Sequence, residues 1–222
     1  MITVLGSCRQ YSVAPMTDIQ EKISYPHYTK EILEVIRFCK YGSIHPEDTR
    51  RILRTAILEN RDIHYDEALK KTWEETDVFI IEIASNMAYL DTELQRYVHH
   101  IMYDDSRFNQ DRHRIQQMFL DDETIEEDLV EIKKELTGKP IIIVSHIVTY
   151  QHGRRYELVS LLERLCKKHD LLFLNPTHEF EKRGLSITNY LMDSNHYNDA
   201  GHAMVKTIYD DFLVQMKSGK TN

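Results

Sequence analysis

Four short runs of consecutive apolar residues, Ile2 to Leu5, Val78 to Ile83, Ile141 to Val144 and Leu171 to Leu174, constrain this chain more than any other feature. They are continuous rather than alternating, the pattern of strands buried on both faces of a parallel sheet. Helical patterns fill the stretches between them. Thr29 is placed to cap a helix carrying Ile32, Val35, Ile36 and Cys39, and Pro46 to open another with Ile52, Leu53, Ala56 and Ile57. Asp91 is placed to cap a helix with Leu94, Val98, Ile101 and Met102. Asp121 to Leu136 puts Ile125, Leu129, Ile132 and Leu136 on one face, with Gly138 as its stop. Tyr156 to Lys168 repeats the pattern, and a last helix is predicted over roughly Ala200 to Met216. Strands alternating with helices predict an α/β fold, a three-layer α/β/α sandwich with a mostly parallel, doubly wound sheet. Between Arg37 and Trp73 no clear strand appears, which leaves a further short strand or a helical insertion there.

The 222 residues suit one domain, read as residues 1–216, followed by a polar tail at 217–222. A formal charge of −8 argues against a nucleic-acid partner, because such surfaces need a basic footprint. The N-terminus enters a strand directly and no apolar run is long enough to span a bilayer, so a soluble, cytoplasmic protein without membrane insertion is expected. Cys8, Cys39 and Cys166 are odd in number and lack a Cys-x-x-Cys pair, which makes them free thiols. The 12 histidines, His45, His99, His100, His113, His146 and His152 among them, show no ligand spacing such as His-Glu-x-x-His, and no metal is expected.

Ligands of open α/β sheets bind beyond the carboxyl ends of the strands, which selects candidate residues. The first run ends in Gly6-Ser7-Cys8-Arg9 and reaches Tyr11; the second ends in Ala84-Ser85-Asn86 and reaches Tyr89. The third ends in Ser145-His146 and reaches Tyr150, and the fourth in Asn175-Pro176-Thr177-His178. Small polar groups followed by rings predict a polar pocket with aromatic walls, suited to a sugar. Directly before the last helix stands Asp193-Ser-Asn-His196. A nucleophile at a sharp turn, an imidazole base, a carboxylate that orients it and oxyanion donors make an acyl-transfer site. Cys8 or Ser7 would attack, His196 would take the proton, and Asp193 would fix its tautomer. Asn86 and the backbone N–H of Cys8 would hold the oxyanion. Arg9, Ser85, His146, Tyr11 and Tyr89 are candidate substrate-binding residues, with Arg9, Arg154 and Arg155 as cations for phosphates. The plainer alternatives are a small buried Cys8, capping roles for Ser7, Asn86 and Asp193, a surface His196, and solvated arginines.

Val4-Leu5-Gly6-Ser7-Cys8, the strand-end Asn86, and Asp193-x-x-His196 followed by Tyr197-Asn198 and Gly201 resemble motif blocks of the SGNH (GDSL-type) hydrolase superfamily. The likeness is nearest to its Gly-Ser-Cys branch among polysaccharide-biosynthesis proteins. In that family the serine stands two residues after the glycine, so the resemblance implies Cys8 as nucleophile with Ser7 in the aspartate's place. The family's second block, an oxyanion glycine, has only Gly42 as a counterpart. The resemblance implies an SGNH-hydrolase-like, flavodoxin-like fold and a sugar or nucleotide-sugar acceptor. A thiol exchanges acyl groups with an acyl-CoA thioester at nearly equal free energy. The expected activity is therefore acetyl transfer from acetyl-CoA to a sugar or amino sugar. An esterase or carbohydrate deacetylase, and a non-catalytic glycan-binding module, are the alternatives.

Overall fold

In the computed structural model, residues 1–10, 12–194 and 196–219 are described. Tyr11 lies outside them, as does the tail from residue 220. In chain order the elements begin with β1 (Ile2–Leu5), α1 (Asp18–Ile23), α2 (Thr29–Tyr41), α3 (Thr49–Ile52), α4 (Arg54–Glu59), α5 (Glu67–Glu75) and β2 (Val78–Ile83). There follow β3 (Met87–Asp91), β4 (Arg96–Tyr97), α6 (Ile101–Asp104), β5 (Ile115–Phe119) and α7 (Asp122–Glu135). The chain closes with β6 (Ile141–Ser145), α8 (Arg154–Lys168), β7 (Leu172–Leu174), α9 (Pro176–Lys182) and α10 (Asp199–Lys217).

The four apolar runs form one parallel sheet in the order β1-β2-β6-β7, with Ile2 opposite Val78, Phe79 opposite Ile141 and Ile142 opposite Leu172. Strand residues alternate between two cores because successive side chains leave opposite faces. Leu5, Phe79, Ile81, Ile83, Ile141 and Ile143 pack with α1, α2, α7 and α8. Val4, Val78, Ile80, Ile142, Val144 and Leu174 pack with Phe180 of α9 and with Val205, Ile208 and Tyr209 of α10. This is the expected α/β sandwich. The strand order does not reverse among the described residues, so the crossover helices share one face. The second helical layer comes from α9 and α10, which cross the other face after the last strand.

Between Arg37 and Trp73 the chain is helical, and it supplies no strand among the described residues. The helix opened by Pro46 is broken into a 3-10 turn, α3 and α4, because Leu53 adopts an extended conformation (φ −98°, ψ 119°) between the two helices. A larger departure follows β2. Asp91 does not cap a helix: β3 pairs antiparallel with β5 and β4 in a separate small sheet. Gln95 turns the β3–β4 connection at φ +54°, which interrupts any helix across Leu94 and Val98. The buried Asp91 carboxylate accepts the N–H groups of Glu93 and Leu94 and pairs with Arg51 at 2.6 Å and Arg114 at 3.4 Å. Two guanidiniums from distant segments thus decide what the local apolar spacing does not.

The last helix is capped by Asn198, whose side chain accepts the Gly201 N–H at 2.9 Å. Gly201 presses against the preceding segment: a Cβ there would stand 2.1 Å from the Tyr190 carbonyl oxygen and 3.0 Å from the Tyr197 ring. No helix is long and apolar enough to cross a membrane among the described residues.

Alanine is the better helix former by about 1 kcal/mol. The Gly201→Ala clash with backbone nevertheless dominates, and a net destabilisation of about 1–3 kcal/mol is expected. Urea unfolding followed by far-UV circular dichroism checks this; an unchanged or raised midpoint would show that the loop before α10 yields.

Candidate active site at the carboxyl edge of the sheet

The turn after β1 is built around a charge on the neighbouring strand. Glu82 occupies the penultimate position of β2 with no exposed surface, and it points to the face covered by α10. A Cβ on Gly6 would lie 2.7 Å from Glu82 Cβ, so only glycine lets the two strands end this close together. Ser7 donates both its N–H, at 2.8 Å, and its hydroxyl to Glu82 Oε2. The Nε and Nη2 groups of Arg9 donate to Oε1, each at 3.3 Å, and His146 Nδ1 at the end of β6 donates to the same oxygen at 3.4 Å. Burial alone would raise the Glu82 pKa. The Arg9 charge first, then His146 and the Ser7 hydroxyl, reverse that and hold it well below the usual carboxylate range. Burial pushes His146 down, opposed by its bond to Glu82, so it is a neutral donor near neutral pH.

This arrangement separates the two nucleophile candidates. Ser7 is 3% exposed and its hydroxyl is committed to Glu82, whereas Cys8, the next residue, is exposed at the start of a 3-10 turn. Arg9 is not a solvated cation awaiting phosphate; its guanidinium is buried against Glu82. Cys39 and Cys166 are buried free thiols, Cys166 pushed up to about 12 by burial.

At the far end of the chain His196 Nδ1 lies 2.9 and 2.8 Å from the two Asp193 carboxylate oxygens. A carboxylate only accepts, so Nδ1 carries the proton and Nε2 presents its lone pair. The pair is open to solvent, with side-chain exposures of 46% and 50%. Met192 N–H to His196 O and Asn198 N–H to Tyr190 O brace the segment. Two contacts tie the helix that follows, α10, to the turn after β1: Ser12 Oγ meets His202 Nδ1 at 3.0 Å, and the Tyr209 hydroxyl donates to Gln10 Oε1. Tyr197, beside His196, is buried against Phe180 with its ring nearly parallel, and its hydroxyl lacks a hydrogen-bond partner. Burial first, and then the nearby Glu82 charge, raise that phenol far above its ordinary pKa. Both segments therefore stand at one edge of the sheet, although no hydrogen bond joins Cys8 to His196 among the described residues.

The other sequence candidates take different places. Ser85 Oγ accepts the Met87 N–H at 2.9 Å. Asn86 stands just before β3, accepts the Leu120 N–H through its carbonyl, and borders a cavity of about 470 Å³ with Asp122, Arg154 and Arg164. No hydrogen bond joins Asn86 to Cys8 among the described residues. Tyr89 is buried against Tyr28 and Tyr103 rather than lining a pocket. Arg154 stacks on Phe119 at 3.4 Å. Gly42 ends α2 at φ +64°, against the Tyr65 ring. Beyond β6 and β7, Tyr150, Tyr156, Asn175, Thr177, His178 and Glu181 do border one cavity of about 630 Å³.

Three residues of this edge escape sequence reasoning. Glu82 has a visible signal, a carboxylate inside an apolar strand. Tyr197 stands in the motif block after His196, but the sequence gives no sign of its burial. His27 has no spacing signal at all, yet its carbonyl accepts the Ala84 and Ser85 N–H groups at 2.9 and 3.1 Å, capping the end of β2.

The sequence matches no known protein-family profile and no curated protein. Solved structures that resemble the chain include the following two. One is LAE5, an alpha/beta hydrolase enzyme from the metagenome of Lake Arreo, Spain, with 14% identity over 100% of this chain and 95% of that one, at a TM-score of 0.44. The other is CEX, a two-domain esterase active on acetylated mannans and co-crystallized with mannopentaose, with 18% identity over 98% of this chain and 50% of that one, at a TM-score of 0.42. The assignment to the α/β sandwich class rests on the chain's own strand order, register and paired cores.

Replacing Glu82 with Gln leaves Arg9 buried without its counter-charge and should cost about 3–5 kcal/mol in urea unfolding. The sign with pH follows from the lowered pKa: stability from this group is complete above the unperturbed value of 4.5 and is lost as pH falls below it. The wild type should therefore weaken on acidification below that point more steeply than Glu82→Gln. Parallel pH profiles would show Glu82 to be uncharged in the fold.

Proposed function

We propose that this chain is an acyl-ester hydrolase of SGNH-like type that works through a Cys8 thioester. The observation that carries the reading is the pairing of an oriented imidazole, His196 held through Nδ1 by Asp193, with an exposed thiol at the same sheet edge, while Glu82 withdraws Ser7. His196 Nε2 takes the Cys8 proton and the thiolate attacks the ester carbonyl. The alkoxide leaves with the proton from His196, and a thioester remains. Water then attacks, giving its proton to His196; the C–S bond breaks, and the acid leaves as the thiol recovers its proton. The Cys8–His196 hydrogen bond forms when substrate fills the edge, as catalytic bonds that are long or absent in the free enzyme do in the complex. The backbone N–H of Cys8 and the Asn86 side chain are the proposed oxyanion donors. The half-exposed dyad favours water as acceptor, since a transferase has to keep water from its acyl-enzyme.

One observation favours a second reading, acetyl transfer from acetyl-CoA to a sugar. The nucleophile is a thiol, and the 630 Å³ cavity offers two tyrosine rings beside Asn175, Thr177 and Glu181, groups suited to a carbohydrate. In that reading the sugar hydroxyl or amine replaces water in the second step.

Incubation with an activated acetyl ester should leave a protein one acetyl group heavier by intact mass, mapping to Cys8. Cys8→Ala and His196→Ala should each lower kcat/KM at least about 10³-fold without loss of fold. Ser7→Ala should still form the adduct. Adduct formation in Cys8→Ala, or its loss in Ser7→Ala alone, would move the nucleophile. Release of acetate with acetyl esters supports hydrolysis, whereas CoA release that depends on added sugar supports transfer.

A further inference from the structure

We propose that His27, His99 and His100 form a binding site for a divalent transition-metal ion of the Zn(II) or Co(II) class, built beside the end of β2. One ring nitrogen from each lies within 4.8 Å of the other two. A tetrahedral ion with Zn–N bonds of about 2.0–2.1 Å holds its nitrogens about 3.4 Å apart, so binding turns the rings to bring their donor nitrogens roughly 1 Å closer. The three rings are clustered, with His99 and His100 at 4.4 Å between centroids and 32° between planes. His27 meets His99 and His100 edge-on, at 80° and 84°, with centroids 5.3 and 4.6 Å away.

The hydrogen bonds leave His99 and His100 each one nitrogen that carries no proton. His99 Nε2 faces the Tyr25 carbonyl at 3.2 Å and so carries the proton, which leaves the Nδ1 lone pair. That lone pair is shared with the Ile101 N–H at 3.2 Å, a first-turn amide of α6. An ion would displace this contact, and helix starts leave such donors unmatched in any case. His100 Nδ1 faces the Asp104 carboxylate at 3.0 Å, leaving Nε2 as a lone pair. Metal-bound histidines are held in this way by an oxygen behind the second nitrogen. His27 Nδ1 is buried and has no hydrogen-bond partner. Burial first, and then His100, bring the His27 pKa down to about 3, so the ring is neutral and ready to donate.

The backbone is shaped for this placement. Ser24 and Tyr25, neither of them glycine, both adopt left-handed conformations at φ +44° and +54°. Strain of this kind concentrates where a loop presents groups for a function. Here it brings the Tyr25 carbonyl to His99, while His27 is pinned through its own backbone to Glu31, Ala84 and Ser85. Glu31 Oε1 stands 3.9 Å from His99 Nε2, behind the ring rather than among the donors. Three nitrogen donors leave a fourth position for water or an anion, as at zinc sites that bind an outside ligand.

Protein freed of any affinity tag and of metal, titrated with Co(II), should develop visible ligand-field absorption that saturates at one ion per chain and is displaced by Zn(II). Zn(II) should also raise the melting temperature, since an ion held only by the folded chain stabilises it. His27→Ala and His100→Ala should each weaken Co(II) binding at least about tenfold, and His113→Ala should bind as wild type. His100 is 31% exposed, which makes that variant safe for the fold. Absence of the absorption in wild type, equal affinity in both cluster variants, or equal loss in His113→Ala would overturn the proposal. The readout needs no turnover, so it stands apart from the ester chemistry of Cys8.

Discussion

A carboxylate shut away from water has to find compensating charge and donors within the protein, and Glu82 finds them in three residues from two segments. Arg9 is drawn inward from the turn after β1, and with it Ser7 turns its N–H and hydroxyl to the same carboxylate. With Ser7 and Arg9 on either side of it turned to the carboxylate, Cys8 is left facing solvent. His146 is pinned at the end of β6 by the same group. The order of the carboxyl edge is thus set by one side chain of the central strand pair, and Gly6 is the space that side chain needs.

The parallel sheet was legible because its strands are buried on both faces and therefore read as unbroken apolar runs; β1, β2 and β6 begin where those runs begin. Helices α2, α7, α8 and α10 were legible for a similar reason, each having one apolar stripe and a recognisable start or stop. The small antiparallel sheet was not. Its stretch from Asp91 to Met102 has helix-like spacing, and what overrides it is the long-range pairing of Asp91 with Arg51 and Arg114 and of β3 with β5. Local pattern carries no information about such partners.

The site divides along the same line. Cys8, Asp193 and His196 sit in short motifs, and the tautomer of His196 follows from a neighbour three residues away. The roles of Arg9, His146 and Tyr89 depended on what lay across the sheet, and a surface reading of Arg9 gave way to a buried one. His27 is the extreme case. It stands 72 residues before the adjacent pair His99-His100, a gap of 99 − 27 that no ligand-spacing rule covers, and only the folding of the small sheet against α2 and its preceding loop brings the three rings together.

The helical stretch between β1 and β2 has a consequence for how copies of this chain meet. No further strand pairs with the outer side of β1 among the described residues, yet Thr3, Val4 and Leu5 are fully buried, so that edge is shielded. The opposite edge is β7, only three residues long with Leu172 and Phe173 half-buried. Strand-by-strand growth into fibres or edge-to-edge dimers needs a long open ladder of backbone groups. One border of this sheet is closed and the other is too short to offer it, so the four-stranded sheet itself gives no edge along which copies could add strand by strand.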